Sequence, residues 1–415
     1  MNAFAFTRRT AREIAREAPP AAASAAAEVV EAVRAGGDAA LRSYAARFGD
    51  PAPREVTTAE MLAALDAIPR DLRAALERTH ARIERFAEAQ KAALREFSYR
   101  TGGFAVGQRL IPLDSVGAYV PSGAHPLPST ALMTVTPARV AGVGTVVACT
   151  PRPTDVTMAA CAIAGVDRLF VCGGAQAIAA LAYGTATMPR VAKIVGPGNA
   201  YVAAAKRAVA GACGTDLPAG PSEVAVVAGA DADAEGVARS LLAEAEHDPD
   251  ARAYLVCDDD RLLAAVEVAI ERQLATLATA TVAGAALGAS AAVVCGSLAE
   301  CADAANLLAV EHVELHGPAA ETLAPRITCC GALFVGAPAA FGDYGIGPNH
   351  TLPTNAAARY ASGLSVYDFL LVRPYARALE PEDDVRADAA LIAEAEGLPG
   401  HRAALLAGAR QSIGR

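Results

Sequence analysis

The chain has 415 residues, of which 53% are hydrophobic and 20% charged, with a formal net charge of −9. That length and apolar share suit two α/β domains with extensions and exclude a disordered chain. The acidic balance lacks the basic footprint with which nucleic-acid binders neutralise phosphates, and it suits a soluble cytoplasmic protein.

Arg8, Arg9, Arg12 and Arg16 stand near the start, but Glu13 and Glu17 interleave with them and no apolar core comes after. A surface helix is expected there, not a targeting segment. Pro19-Pro20 separates it from a second helix, which is predicted to end at Gly36-Gly37. A long amphipathic helix is predicted from Asp71 to Leu94, broken from the next segment by Gly102-Gly103.

Near residue 110 short β-branched runs begin to alternate with Ala-rich stretches. Val116–Val120, Val143–Cys149, Leu169–Cys172 and Lys193–Val195 read as strands, and Pro153–Gly165 and Gln176–Tyr183 as helices between them. A second alternating block has strands at Val224–Val227, Tyr254–Cys257, Val293–Cys295 and Leu333–Val335, with helices at Ala234–Glu246 and Arg261–Ala278. Such alternation signals parallel sheets with crossover helices. A final helical segment runs from about Pro381. Residues 273–299 carry no charge, but glycines at 284, 288 and 296 favour helix, turn and buried strand over a membrane span. The nine scattered cysteines, none in a C-x-x-C pair, are expected to be small buried hydrophobes in a reducing compartment.

Four motifs could carry chemistry. Glu244 and His247 are three apart at a helix end stopped by Asp248-Pro249, and a carboxylate with an imidazole on one helix face suits Zn²⁺, although the same pair is common on solvated faces. Glu311-His312 is a charged pair in the apolar run Val310 to Leu315. If that run is a strand, the two point to opposite faces, as at a sheet rim or a site that needs paired acid–base groups. Gly342 to Thr354 is a glycine- and proline-rich loop, an ordinary surface loop or a donor of ligands through Asp343, Asn349 and His350. Ile194 to Tyr201 is a strand, a glycine turn and a helix start, which can cradle a pyrophosphate, but its spacing is not G-x-G-x-x-G. Ala219 to Glu223 and Glu394 to His401 read, by themselves, as a turn and a helix stop. Of the remaining histidines, His80 is expected to be structural and His316 to end a strand, while His125 lies in a Pro-rich loop.

In this order the motifs resemble the histidinol dehydrogenase family. The resemblance rests on Val116 to Pro121, Lys193 to Lys206, Ala219 to Val224, Ala245-Glu246-His247, Glu311-His312, Gly342 to Thr354 and Glu396 to His401. Val33 through Phe48 fits as well, so nearly the whole chain is covered. Each part is weak alone, and the combination is specific.

The resemblance implies an α/β protein of two incomplete Rossmann-like, aldehyde-dehydrogenase-like domains. Residues 1–15 would be a helical arm, 16–118 and 224–364 a discontinuous first domain with the catalytic and metal residues, 119–223 an NAD-binding domain, and 365–415 a dimerisation tail. It implies one Zn²⁺ per subunit held by Glu244, His247, Asp343 and His401. Glu311 and His312 would be the acid–base pair. Ser222, His350 and Glu396 would join the metal and acid–base residues around the substrate, and Tyr119, Gln176 and Asn199 would line the NAD site. Family members are intertwined homodimers, so His401 and Glu396 would act across the interface. The implied reaction oxidises L-histidinol through L-histidinal to L-histidine in two NAD-linked steps, with His312 as base and Glu311 activating water. The alternative is another small polar alcohol, such as a sulfonated diol, since the family includes such paralogues. A zinc-binding protein without catalysis is a third reading, which leaves Glu311 and His312 unused. Four residues depart from the family pattern: Glu244 stands for glutamine, Val310 for proline, Ser122 for glycine and Ser240 for an acidic residue.

Overall fold

Strands covered on both faces read as continuous apolar runs, and Glu223–Ala228 is one: all six residues are buried. The structure is a computed structural model that describes residues 4–15, 23–122, 126–217 and 220–407. Arg16, Glu17, Pro19-Pro20, His125 and Ala219 lie outside the described residues. The chain divides into a larger unit, residues 1–91 and 113–369, and a smaller one, residues 92–112 and 370–415.

The larger unit holds two six-stranded sheets. With strands numbered along the chain, the first sheet runs β1 (Thr7–Arg8), β12 (Ala291–Val294), β11 (Arg252–Cys257), β10 (Glu223–Ala228), β13 (His312–His316), β14 (Ala332–Val335), all parallel. The second runs β2 (Arg54–Val56), β7 (Arg168–Val171), β6 (Thr145–Thr150), β5 (Ser115–Tyr119), β8 (Lys193–Val195), β9 (Gly214–Thr215), parallel except for edge strand β2. Both are wound alike. The chain starts in the middle, at β10 or β5, steps outward through two strands, then returns to the other side of the starting strand. Each sheet therefore has a switch point, between β10 and β13 and between β5 and β8, where doubly wound folds open a crevice.

Alternation along β10 builds the first sheet's two cores. Val224, Val226 and Ala228 pack on one face with Leu241 and Leu255, and Ala225 and Val227 on the other with Leu315 and Cys301. The crossover helix Ala234–Ala245 is capped by Asp233, whose carboxylate accepts the N–H groups of Glu235 and Gly236. A cap of this kind stabilises a helix by about 1 kcal/mol. Its buried stripe of Val237, Ala238, Leu241, Leu242 and Ala245 seats it on the sheet. The helix runs back against the strands, so its C-terminal turn, with Glu244, returns to the end where β10 and β13 begin.

Several elements differ from the sequence expectation. The arm is not wholly helical: Thr7–Arg8 adds an edge strand beside β12, and only Ala11–Ile14 is helix, closed by a Thr10–Glu13 capping box. Within 16–118, expected to pack with 224–364, β2 instead pairs with β7, and helices Ala23–Phe48 and Thr58–Ala67 pack on helices of the second sheet. The first of these is broken where predicted, at Gly37 with φ +52°, but the chain resumes as helix and does not stop. The long helix runs Arg70–Ala93.

The smaller unit has an antiparallel sheet, β15 (Leu370–Ala378), β4 (Phe104–Pro112) and β3 (Phe97–Thr101), with helices Asp383–Ala395 and Pro399–Ala407. Gly102 and Gly103, read from sequence as a break, make its hairpin turn with φ +56° and +75°. Two consecutive positive φ values define the tight turn that matches strand twist. Among the described residues no helix is long and apolar enough to cross a membrane.

Candidate metal and acid–base site

His312 is the first residue of β13 and pairs in register with Val224. Val313 and Leu315 belong to the core on the face of Ala225 and Val227. His312, Glu314 and His316 therefore face the other way, toward helix Ala234–Ala245. There His312 Nδ1 lies 3.4 Å from Glu244 Oε2, with both side chains buried. Glu311 does not point to the opposite face, as a strand over 310–315 would require. It precedes the strand in a bend, free of the alternation. Its Oε2 accepts the N–H of Glu223 at 3.2 Å. One ligand atom from each of Glu244, Glu311 and His312 lies within 4.8 Å of the others.

This cluster has too few internal partners for its polar atoms. Glu244 Oε1 and both ring nitrogens of His312 are buried without a hydrogen bond, a condition that costs free energy unless a ligand is present. The charges agree. Burial is the largest influence on Glu311 and pushes its carboxyl well above the usual range; His312 offsets part of this, while Glu244 and Asp343 add to it. Burial alone would lower His312, but Glu311 and Glu244 outweigh it and lift the imidazole to about 10. The C-terminal end of helix Ala234–Ala245 adds its own partial negative charge. A buried, electronegative set of carboxylates and an imidazole fits a divalent cation such as Zn²⁺.

Sequence reasoning missed Glu223 as a member of this group. Its only signal was a carboxylate opening an apolar strand. Both its oxygens accept the N–H of Asn355, and burial, reinforced by Glu244, raises its carboxyl from 4.5 to about 7. The folded chain thus holds a proton that the unfolded chain has released. This group's contribution to stability falls as pH rises from about 4.5 to about 7, and changes no further above that. Glu223→Gln is expected to stabilise the metal-free protein on the order of 2–3 kcal/mol more at pH 8 than at pH 4. Denaturant melts at the two pH values measure it, and an equal effect at both would refute the assignment.

Two further proposed ligands border the cluster. His247 lies just past the helix end, its Nδ1 3.2 Å from the Glu244 carbonyl and 3.9 Å from Glu244 Oε1. Asp343 ends the short helix Ala340–Asp343 and is close enough to act electrostatically on Glu311 and His312. Its position is braced by Glu314, whose Oε1 accepts the N–H of Ala339 and whose Oε2 meets His316 Nε2 at 2.6 Å. His350 is fixed at both ring nitrogens. Nδ1 donates to the Asp343 carbonyl at 3.2 Å, so Nε2 is the acceptor for the Thr130 hydroxyl at 3.3 Å. Burial lowers its pKa and keeps it neutral. Ser222 directly precedes β10, and its carbonyl accepts the N–H of Arg252. Glu396 and His401 are exposed and belong to the smaller unit.

The second sheet presents its own crevice. Tyr119, Gln176 and Asn199 all lie at or beyond carboxyl ends of strands, of β5, β7 and β8. Tyr119 is buried, and its hydroxyl accepts the N–H of Gly174 at 3.0 Å. Gln176 is buried in the first turn of helix Gly174–Tyr183. Asn199 caps helix Ala200–Val209, accepting from Tyr201 and Val202. Two helices thus begin at the carboxyl end of this sheet, after β7 and β8, the side on which doubly wound folds receive a dinucleotide.

The histidinol dehydrogenase family profile matches residues 13–407. The chain belongs to the histidinol dehydrogenase family. A histidinol dehydrogenase from Cupriavidus pinatubonensis is 42% identical over 360 residues, covering 83% of this chain and 81% of that one. The crystal structure of histidinol dehydrogenase from Elizabethkingia anophelis superposes with a TM-score of 0.89 at 32% identity, covering 95% of this chain and 94% of the other. An NAD-dependent aldehyde dehydrogenase from Sinorhizobium meliloti shares the fold alone, with a TM-score of 0.50 at 14% identity over 87% of this chain and 88% of that one. Family membership makes the chain an oxidoreductase with an aldehyde-dehydrogenase-like fold, and it gives the Glu244–Glu311–His312 cluster a chemical setting.

Proposed function

We propose that the chain is a zinc-dependent, NAD-linked dehydrogenase that oxidises L-histidinol through L-histidinal to L-histidine, as a cytoplasmic homodimer. The observation that carries this reading is the buried cluster of Glu244, Glu311 and His312, in which three polar atoms have no hydrogen bond among the described residues. Glu244, His247 and Asp343 would hold the metal, joined by His401 from a second copy of the chain, with Glu396 beside the substrate amine. When bound, zinc supplies a Lewis-acid anchor for the alcohol oxygen, and NAD⁺ accepts the electrons.

The chain's own groups supply the rest. His312 removes the alcohol proton, and it is ready to do so only when the negative potential of Glu311, Glu244 and Asp343 is neutralised, because that potential keeps the imidazole protonated. Glu311, whose burial beside Glu244 and Asp343 favours its protonated form, takes a proton from the water that adds to the aldehyde once it is ionised and returns it to the resulting oxyanion. His312 then serves the hydrate as it served the alcohol. His350 is neutral and fixed at both nitrogens, and it forms a rigid wall of the pocket.

The test is stoichiometry. Zinc-loaded protein given L-histidinol and excess NAD⁺ is expected to form two NADH per histidinol consumed. One NADH would leave only the first oxidation, and no turnover with histidinol alongside turnover with a sulfonated diol would replace the substrate.

A further inference from the structure

The turn Gly196-Pro197-Gly198 forms the floor of the crevice at the second sheet's switch point, and its conformation is held by a buried ion pair that takes no part in the metal and acid–base cluster. Lys206 projects from helix Ala200–Val209, and Asp216 directly succeeds β9. Their side chains are almost wholly buried, at 6% and 1% exposure, and Lys206 Nζ lies 2.5 Å from Asp216 Oδ1. The remaining bonds of both converge on one residue. Lys206 Nζ donates to the Gly196 carbonyl, and Asp216 Oδ2 accepts the Gly196 N–H at 2.7 Å.

Gly196 is itself under tight constraint. Its φ is +111°, and a Cβ there would stand 2.2 Å from the Tyr119 carbonyl oxygen. The turn is therefore pressed against the last residue of β5 while the ion pair grips it from beneath. A buried ion pair is a poor source of net stability, because desolvation offsets its attraction, so its retention points to positioning. Neither charge is exposed to a ligand.

We propose that Lys206 and Asp216 are positioning residues for the dinucleotide. By gripping Gly196 at its N–H and its carbonyl, they fix the glycine turn, and the Asn199-capped start of helix Ala200–Val209 that it leads into, in the conformation that meets the pyrophosphate without reorganisation on binding. The proposal rests on the reading that NAD⁺ occupies this crevice.

The test compares two double variants of the zinc-loaded protein. Lys206→Met with Asp216→Leu removes the grip at similar volume. Lys206→Gln with Asp216→Asn removes the charges but keeps a donor and an acceptor. Isothermal titration with NAD⁺ and steady-state kinetics read the outcome. In the Met/Leu variant, Kd and KM for NAD⁺ are expected to rise about tenfold or more, consistent with loss of two hydrogen bonds. The KM for L-histidinol, zinc content and kcat at saturating NAD⁺ should stay within about twofold of wild type. The Gln/Asn variant should recover part of the NAD⁺ affinity. Wild-type affinity for NAD⁺ in the Met/Leu variant would overturn the proposal, as would equal losses in NAD⁺ affinity, histidinol KM and zinc content in either variant. If the Met/Leu variant does not fold, the Gln/Asn variant decides: a selective rise in NAD⁺ KM supports the proposal, and none overturns it. Absence of NAD⁺ binding by the wild type would instead refute the underlying cofactor reading.

Discussion

His312→Asn is expected to lower kcat by about 10²–10⁴-fold, the range of a lost general base, while zinc content stays at the wild-type level. Both halves of that result matter. His312 lies within 4.8 Å of Glu244 and Glu311 at ligand atoms, so geometry alone permits it to be a metal ligand. What favours the base role is the supply of other donors. Glu244 and His247 stand at the C-terminal end of helix Ala234–Ala245, and Asp343 ends the short helix after β14, near enough to act electrostatically on His312, whose ring nitrogens have no hydrogen bond among the described residues. Asparagine is smaller than imidazole and neutral, so the variant should fold. Zinc measured by atomic absorption beside NADH formation separates the roles: loss of metal together with activity would make His312 a ligand and remove it as the base. The KM for histidinol should change much less than kcat, because a proton acceptor acts chiefly in the transition state.

The central strands of the first and second sheets were legible because they are buried on both faces, whereas the largely exposed edge strands β1, β2 and β9 were not. A run such as Lys193–Val195 has the same limits in sequence and structure, and Val224–Val227 grows by only a residue at each end. The antiparallel sheet of the smaller unit was not legible. In β3 every residue is exposed and the Phe97–Tyr99 alternation is only five residues long, and in β15 all but Leu370 and Tyr375 are exposed, so neither run carries a strong strand signal. Pro374, tolerated there because β15 is an edge strand, argued further against a strand. In the site, residue types at helical spacing were visible, as with Glu244 and His247. What sequence could not supply was the bend before β13, which turns Glu311 and His312 from opposite faces toward one cluster. Nor could it show Glu223 or the Lys206–Asp216 pair, whose partners meet only through the sheet order. Glu396 and His401 were assigned by resemblance; their local pattern is a helix end with Gly397 at φ +72°.

Glu244→Gln should separate metal binding from folding: zinc affinity falls, while stability relative to the parent rises with pH. Glu244 is buried, with one oxygen unpartnered and the other 3.4 Å from His312 Nδ1. In the metal-free chain its charge raises the carboxyl pKa of both Glu311 and Glu223, and it also favours the His312 imidazolium. Glutamine has nearly the same shape and removes that charge. Relative to the parent, the metal-free variant is therefore expected to gain stability as pH rises from 5, where Glu223 is protonated in the folded state, to 8, where Glu223 is ionised and Glu244 would repel it. Zinc affinity should fall roughly ten- to hundredfold as an anionic donor becomes a neutral one. Competition with a chromogenic chelator measures the affinity, and denaturant melts of chelator-treated protein measure the stability. Because the glutamine side-chain carbonyl still offers the metal an oxygen, the variant should keep turnover once saturated with zinc. Unchanged zinc affinity would place Glu244 outside the metal's ligands and leave its charge as a partner of His312 alone.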